Sequence, residues 1–180
     1  MTTLALATRT PRTRALGILV AAGALALASQ FALPVPGTPV PITLQPLVVV
    51  LAGLLLGPVD AAIAMVAYLV AGILGLPVFA PIGAPGLARL FGPTGGYLLA
   101  YPLAAAVAGW LGAGRSFVFR LLAAEAGIAV LYVGGLAQLA LLNQSLVTAA
   151  LLGVAPFVAL DTVKAFIAAA LTAGRRPSAR

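Results

Sequence analysis

Charge is so scarce in this chain, and so unevenly placed, that it dictates the solvent in which the protein folds. Of 180 residues, ten are basic and three acidic. Arg9, Arg12, Arg14, Arg115, Arg120, Arg175, Arg176 and Arg180 stand at the ends of long apolar segments. Arg89 lies in a Gly/Pro-rich stretch, and Lys164 follows Asp161 by three residues inside the last apolar segment. At 63% hydrophobic residues, 7% charged residues and a mean hydropathy of +1.18, the chain falls outside the range of soluble globular domains. It is predicted to be an all-α integral membrane protein, because a helix satisfies its own backbone polar groups in hydrocarbon. A charge inside a span is costly unless it is paired or lines a cavity, so Asp161 and Lys164 become candidate functional residues.

The apolar runs set the topology. Residues 1–14 form a polar, basic tail, and 15–33 is long enough to cross a hydrocarbon core of about 30 Å. The basic start and the small residues Ala28 and Ser29 also resemble a secretory signal, but the length favours a retained helix. Pro34, Pro36, Pro39 and Pro41 then fix an extended loop. Further helices are expected over 42–56, 59–76, 94–111, 117–142 and 146–173, the last interrupted at Pro156. Gly57-Pro58 turns the chain, and Thr94 and Ser116 are candidate helix caps. The 77–93 connection is long for a bundle, which often indicates function. The expectation is therefore a single six-transmembrane-helix domain over 15–173, between a cytoplasmic tail at 1–14 and a basic one at 174–180. The excess of Lys and Arg at both ends and in the 113–116 turn places both termini in the cytoplasm. The long 34–41 and 77–93 loops and the 143–145 turn then face outside.

With that topology Arg89 is the basic residue of the external loops. Asp161 lies mid-span to outer-half in the sixth helix, with Lys164 on the same face. The two long loops can fold over that face as a lid. A cavity bearing one carboxylate, one ammonium and one guanidinium suits a small polar, anionic ligand. Simpler roles compete: Asp161 and Lys164 as a neutralised pair at a helix contact, Arg89 snorkelling to headgroups. Thr43 and Gln45 begin the second helix beneath the first loop, and Gln45 can both donate and accept. Tyr97 opens the fourth helix, either toward a ligand or as an interfacial anchor. Asp60 suits the N-terminus of the third helix. Glu125 reads as the ion-pair partner of Arg120, about one turn away, and Asn143 and Gln144 as turn residues. Gln138 needs a hydrogen-bond partner within its span. Ala22/Ala26 and Ala24/Ala28 leave flat surfaces on the first helix, for internal packing or for a partner helix.

The residue inventory excludes several functions. Without cysteine or histidine, disulfides, thiol nucleophiles and the common zinc sites are ruled out. Three acids and no activated nucleophile make an intramembrane enzyme a poor reading, and no cofactor or metal is implied. No G-x-x-x-x-G-K-[ST] run is present, so uphill transport would draw on another subunit or an ion gradient. The net charge of +7 borders apolar segments instead of forming a basic face with aromatics, which favours membrane lipid over nucleic acid. A structural membrane subunit remains a rival, but it leaves Arg89, Asp161 and Lys164 on the external side without a purpose.

Four motifs in order carry a family resemblance. They are Pro39-Val40-Pro41-Ile42-Thr43-Leu44-Gln45, Gly75-Leu76-Pro77-Val78-Phe79-Ala80, Gly92-Pro93-Thr94-Gly95-Gly96-Tyr97-Leu98, and Pro156-Phe157 with Asp161 and Lys164. Together they resemble BioY, the biotin-binding S components of energy-coupling factor (ECF) vitamin transporters. The resemblance implies six helices, an extracytoplasmic biotin site and a multi-pass place in the cell membrane, of the bacterial inner-membrane type. It implies as partners a transmembrane coupling subunit and two ATP-binding subunits. It maps the family's sixth-helix acid and base onto Asp161 and Lys164, and its loop-flanking motifs onto Thr43, Gln45 and Tyr97. Ala22 and Ala26 fall where S components meet the coupling subunit. A biotin ureido N–H would then meet Asp161, the ligand's carboxylate or carbonyl Arg89 or Lys164, and its rings Val78, Phe79 and Leu160. Ala159-Leu160-Asp161 stands for the family's usual P-G-D, Gln138 for a common Trp, and Arg89 lies in a variable stretch. Another small vitamin is the alternative ligand.

Overall fold

The computed structural model describes residues 10–112 and 114–173, and it is almost entirely helical. Arg9, Arg175, Arg176 and Arg180, Ala113, and the two terminal tails over 1–9 and 174–180, lie outside the described residues. The first helix, α1 (Pro11–Gln30), starts four residues earlier than the polar tail suggested. Thr10 caps it by accepting from Thr13 N at 3.3 Å, and Pro11 needs no amide partner at the first helical position. It stops before Phe31 because the chain enters a two-stranded antiparallel ribbon, β1 (Ala32–Leu33) with β2 (Ile42–Thr43). Ala32 pairs with Thr43 and Leu33 with Ile42, so the proline-rich segment becomes a closed hairpin.

The ribbon absorbs Ile42 and Thr43, and α2 (Gln45–Leu56) consequently begins later than expected. Gly57, at φ 84°, turns directly into α3 (Pro58–Ile73), with Pro58 again at a helix start. The 77–93 segment is ordered by a 3-10 helix, Gly86–Phe91. The remaining helices are α4 (Gly95–Gly112), α5 (Phe117–Asn143), α6 (Leu146–Gly153) and α7 (Val158–Thr172). Asn143 closes α5 by donating to Leu139 O at 2.8 Å, and Gln144 takes a left-handed φ of 52°. These two residues make the turn as read from the sequence. Ser116 stands at the N-cap of α5 but makes no side-chain capping bond.

By length and composition α1, α4 and α5 can each cross a membrane, and α6 with α7, bent by 54° across the break that holds Pro156, makes a fourth if the pair is counted as one span. The apolar helices α2 and α3 are shorter. At the centre of the bundle α4 packs on α2, α3 and α5. Closest approach falls where Gly96 faces Gly134: a Cβ on either would collide with the other's backbone carbonyl. The core holds Leu25, Val49, Met65, Tyr68 and Leu131, all essentially inaccessible. Large side chains such as Leu19, Leu27, Leu103, Leu122, Val133 and Phe166 instead point outward. So much outward apolar surface is the pattern of a protein solvated by lipid.

Candidate ligand-binding site

A cavity opens beneath the two long connections, enclosing about 680 Å³ of non-atom space that includes its open mouth. Thr43, Gln45, Arg89, Tyr97, Asp161 and Lys164, from four separate stretches of chain, all line it. Phe79, Tyr101, Leu131 and Phe157 supply much of the apolar wall. Val78 and Leu160, expected among the covering residues, do not line it. Val78 packs against the hydrophobic core, and Leu160 is 44% exposed on the outer side of α7.

Asp161 and Lys164 occupy the first turns of α7, just past the Pro156 break, and both are buried. Lys164 Nζ donates to Asp161 Oδ1 at 2.7 Å. Tyr132 of α5 donates its hydroxyl to the other oxygen, Oδ2, also at 2.7 Å. The pair is thus both mutually neutralising and cavity-lining, so the two readings of it are compatible.

Arg89 sits in the 3-10 helix and is only 5% exposed, which excludes snorkelling to headgroups. Its Nη1 donates to Ile82 O and its Nη2 to Ala80 O, while its buried Nε has no hydrogen-bond partner among the described residues. Burial pushes the Arg89 pKa below its ordinary value, opposed by the nearby Tyr68. A guanidinium has ample margin to stay charged.

Gln45 donates Nε2 to Tyr68 Oη at 2.9 Å, which directs the carboxamide. Thr43 accepts from the Gln45 amide at 3.3 Å. Tyr97 donates its hydroxyl to Gly153 O at 2.6 Å, so it meets the cavity with its ring. That bond has a cause in the α6–α7 break. Pro156 has no N–H for Leu152 O, and the Phe157 amide bonds Val154 O instead of Gly153 O. Tyr97 satisfies Gly153 O, and Thr38 of the proline-rich hairpin satisfies Leu152 O at 2.6 Å.

Other expectations fare differently. Gln138 finds its partners in the second loop, donating to Leu90 O at 2.9 Å and Gly92 O at 3.0 Å. Asp60 opens α3 as expected and is also held by Arg14, whose Nη2 lies 2.7 Å from Oδ1. Among the described residues Glu125 forms no ion pair with Arg120, contrary to expectation. Arg120 instead donates Nε to Arg115 O at 2.9 Å. Five residues apart on one helix, the two side chains sit roughly 140° apart around the axis, off the i,i+3 and i,i+4 spacings that bring side chains together. Ala22 and Ala26 are half-buried against the core of the bundle. Sequence reading missed Tyr132 and Tyr68. The available signal was a phenol within an apolar span, whose hydroxyl needs a partner when buried.

The fold is a bundle of apolar helices closed over a cavity at one end. It superposes on a solved structure described as the S-component for biotin from an ECF-type ABC transporter, with a TM-score of 0.80. The match covers 92% of this chain and 93% of that one at 23% identity. The BioY family profile matches residues 2–180, and the chain belongs to that family. It is 43% identical over 130 residues to a probable biotin transporter BioY of Pyrococcus horikoshii, covering 71% of this chain and 75% of that protein. It is 38% identical over 136 residues to the biotin transporter BioY of Thermotoga maritima, covering 75% and 80% respectively.

Proposed function

We propose that this chain is the biotin-capture S component of an ECF-type vitamin transporter. The observation that carries the reading is the cavity itself: Asp161, Lys164 and Arg89 converge with Thr43, Gln45 and Tyr97 in a member of the BioY family. Biotin pairs a ureido ring, with two N–H donors and one carbonyl, to a thioether ring and a valerate tail. Asp161 accepts a ureido N–H as a charge-assisted bond. The unpartnered Arg89 Nε, or Lys164, receives the carboxylate or carbonyl, and Gln45 offers its amide oxygen. Phe79, Phe157 and the Tyr97 ring cover the apolar body. The chain itself is not an enzyme; a transmembrane coupling subunit and two ATP-binding subunits supply the work of transport. Ala22 and Ala26 are carried over as coupling-subunit contacts, on the strength of the family likeness and despite their half-buried packing.

In this reading α1 to α5 and the bent α6–α7 pair make six spans in the cell membrane, of bacterial inner-membrane type. Both termini are cytoplasmic, with the cavity at the opposite, external end. Arg14, Arg115 and Arg120 mark the cytoplasmic side.

The test is biotin binding to the detergent-purified full chain, with Asp161→Asn beside the parent. Saturable binding by the parent, lost by at least a hundredfold in a folded Asp161→Asn protein, is the expected result, since a hydrogen bond to a charged group contributes about 1.5–3 kcal/mol and the neutral amide also strands Lys164. A folded, ligand-stripped parent that ignores biotin sinks the reading, and other vitamins or a purely structural role are then tested.

A further inference from the structure

We propose that Tyr132, which does not line the cavity, is the residue that aims Asp161 and thereby sets the discrimination for the ligand's N–H donor. The proposal rests on the biotin reading above. Lys164 alone could not fix the carboxylate. It lies on the same helix, reaches only Oδ1, and leaves the carboxyl group to turn about a broad terminal torsion. Tyr132 approaches from α5 and donates to Oδ2 at 2.7 Å, so each oxygen carries one donor from a different element. A carboxylate clamped at both oxygens has a defined plane, and its remaining lone pairs are presented in fixed directions.

The ring of Tyr132 is itself held. It is half-buried and packs against two clusters, one containing Val50, Ile128 and Ala165, the other Val40, Leu139 and Phe157. The second cluster reaches the proline-rich hairpin through Val40 and the α6–α7 break through Phe157. The hydroxyl therefore ties the orientation of Asp161 to the α5–α7 contact and to the cover of the cavity. Tyr132 acts through Asp161, as a positioning residue.

The experiment compares biotin with analogues methylated at one or other ureido nitrogen, bound to the full chain in detergent as parent and as Tyr132→Phe. The parent is expected to reject the analogue that lacks the N–H facing Asp161. Tyr132→Phe is expected to weaken biotin about tenfold while binding that analogue nearly as the parent does, so the preference shrinks about tenfold. Equal weakening of both ligands assigns Tyr132 a scaffold role and overturns the proposal, as does no change in either. A parent that fails to bind biotin overturns the function reading as well, and this arm separates the two failures. Should Tyr132→Phe not fold, site-specific 3-fluorotyrosine at position 132 keeps the shape and strengthens the donor. Discrimination should then sharpen a few fold, and unchanged discrimination refutes the role.

Discussion

Arg89 commits two of the five N–H donors of its guanidinium to its own loop, bridging the carbonyls of Ile82 and Ala80. Gly83, at φ 104°, lies so close that an added Cβ would sit 2.7 Å from Nη1. The loop is wrapped around the side chain, and Nε remains as a buried donor in a cavity-lining residue. Arg89 is thus at once the post of the second loop and, with Lys164, a cation lining the cavity. Arg89→Lys keeps the charge but loses the planar fork that spans two carbonyls. The expected outcome is a biotin release rate raised about tenfold or more, as for a lost charge-assisted bond, measured by retention of labelled ligand. A release rate equal to the parent's would mean that the fork is irrelevant to capture. At this scale the sequence identified which residue types were out of place in an apolar chain: Thr43, Gln45, Arg89, Tyr97, Asp161 and Lys164 line one cavity, whereas Asp60, Glu125 and Gln138 do not. It did not identify their partners. Tyr132 is 29 residues from Asp161 and Gln138 is 48 from Leu90, separations that no local periodicity reports.

Among the elements, the interrupted last span shows how a sequence defect is repaired from a distance. Pro156 deprives Leu152 O of its helical donor, and Thr38 donates to that carbonyl from the proline-rich hairpin. The first loop is thereby fastened to the hinge that introduces Asp161. Thr38→Val, nearly isosteric, is expected to lower stability by about 1 kcal/mol, the cost of stranding a partly buried carbonyl. Pro156→Ala restores an amide at the break, so Thr38→Val should cost less in the Pro156→Ala background than in the parent. Thermal unfolding in detergent measures both, and strict additivity would show that Thr38 and the break are independent. The existence of every long helix was legible from apolar length, and the break from its proline. The ends of α1 and α2 were not, because Ile42-Thr43 reads equally well as the start of a helix. Only pairing with Ala32-Leu33 makes it a strand.

For the whole molecule, the proposed six-span topology has a geometric difficulty. At 1.5 Å per residue, the 12 residues of α2 reach about 18 Å, well short of a hydrocarbon core of about 30 Å. The 16 residues of α3 reach only about 24 Å. Two features reconcile this. Gln45 at the outer end of α2 faces the cavity and bonds Tyr68, so that end need not meet lipid. At the other end Asp60 is paired with Arg14, which lets the α2–α3 turn sit near headgroups. The bundle is therefore thin beside the cavity, and polar backbone in the loops is tolerated where it lines that cavity. The chain has no cysteine, so single substitutions can report sidedness directly. Pro36→Cys and Asn143→Cys, both exposed, should react with a membrane-impermeant maleimide on intact cells. Ser116→Cys, exposed at the start of α5, should react only after the membrane is opened. Labelling of Ser116→Cys on intact cells would invert the orientation and put the cavity mouth in the cytoplasm, where capture of external vitamin is impossible. The expected pattern leaves Asp161, Lys164 and Arg89 facing the side from which the ligand comes.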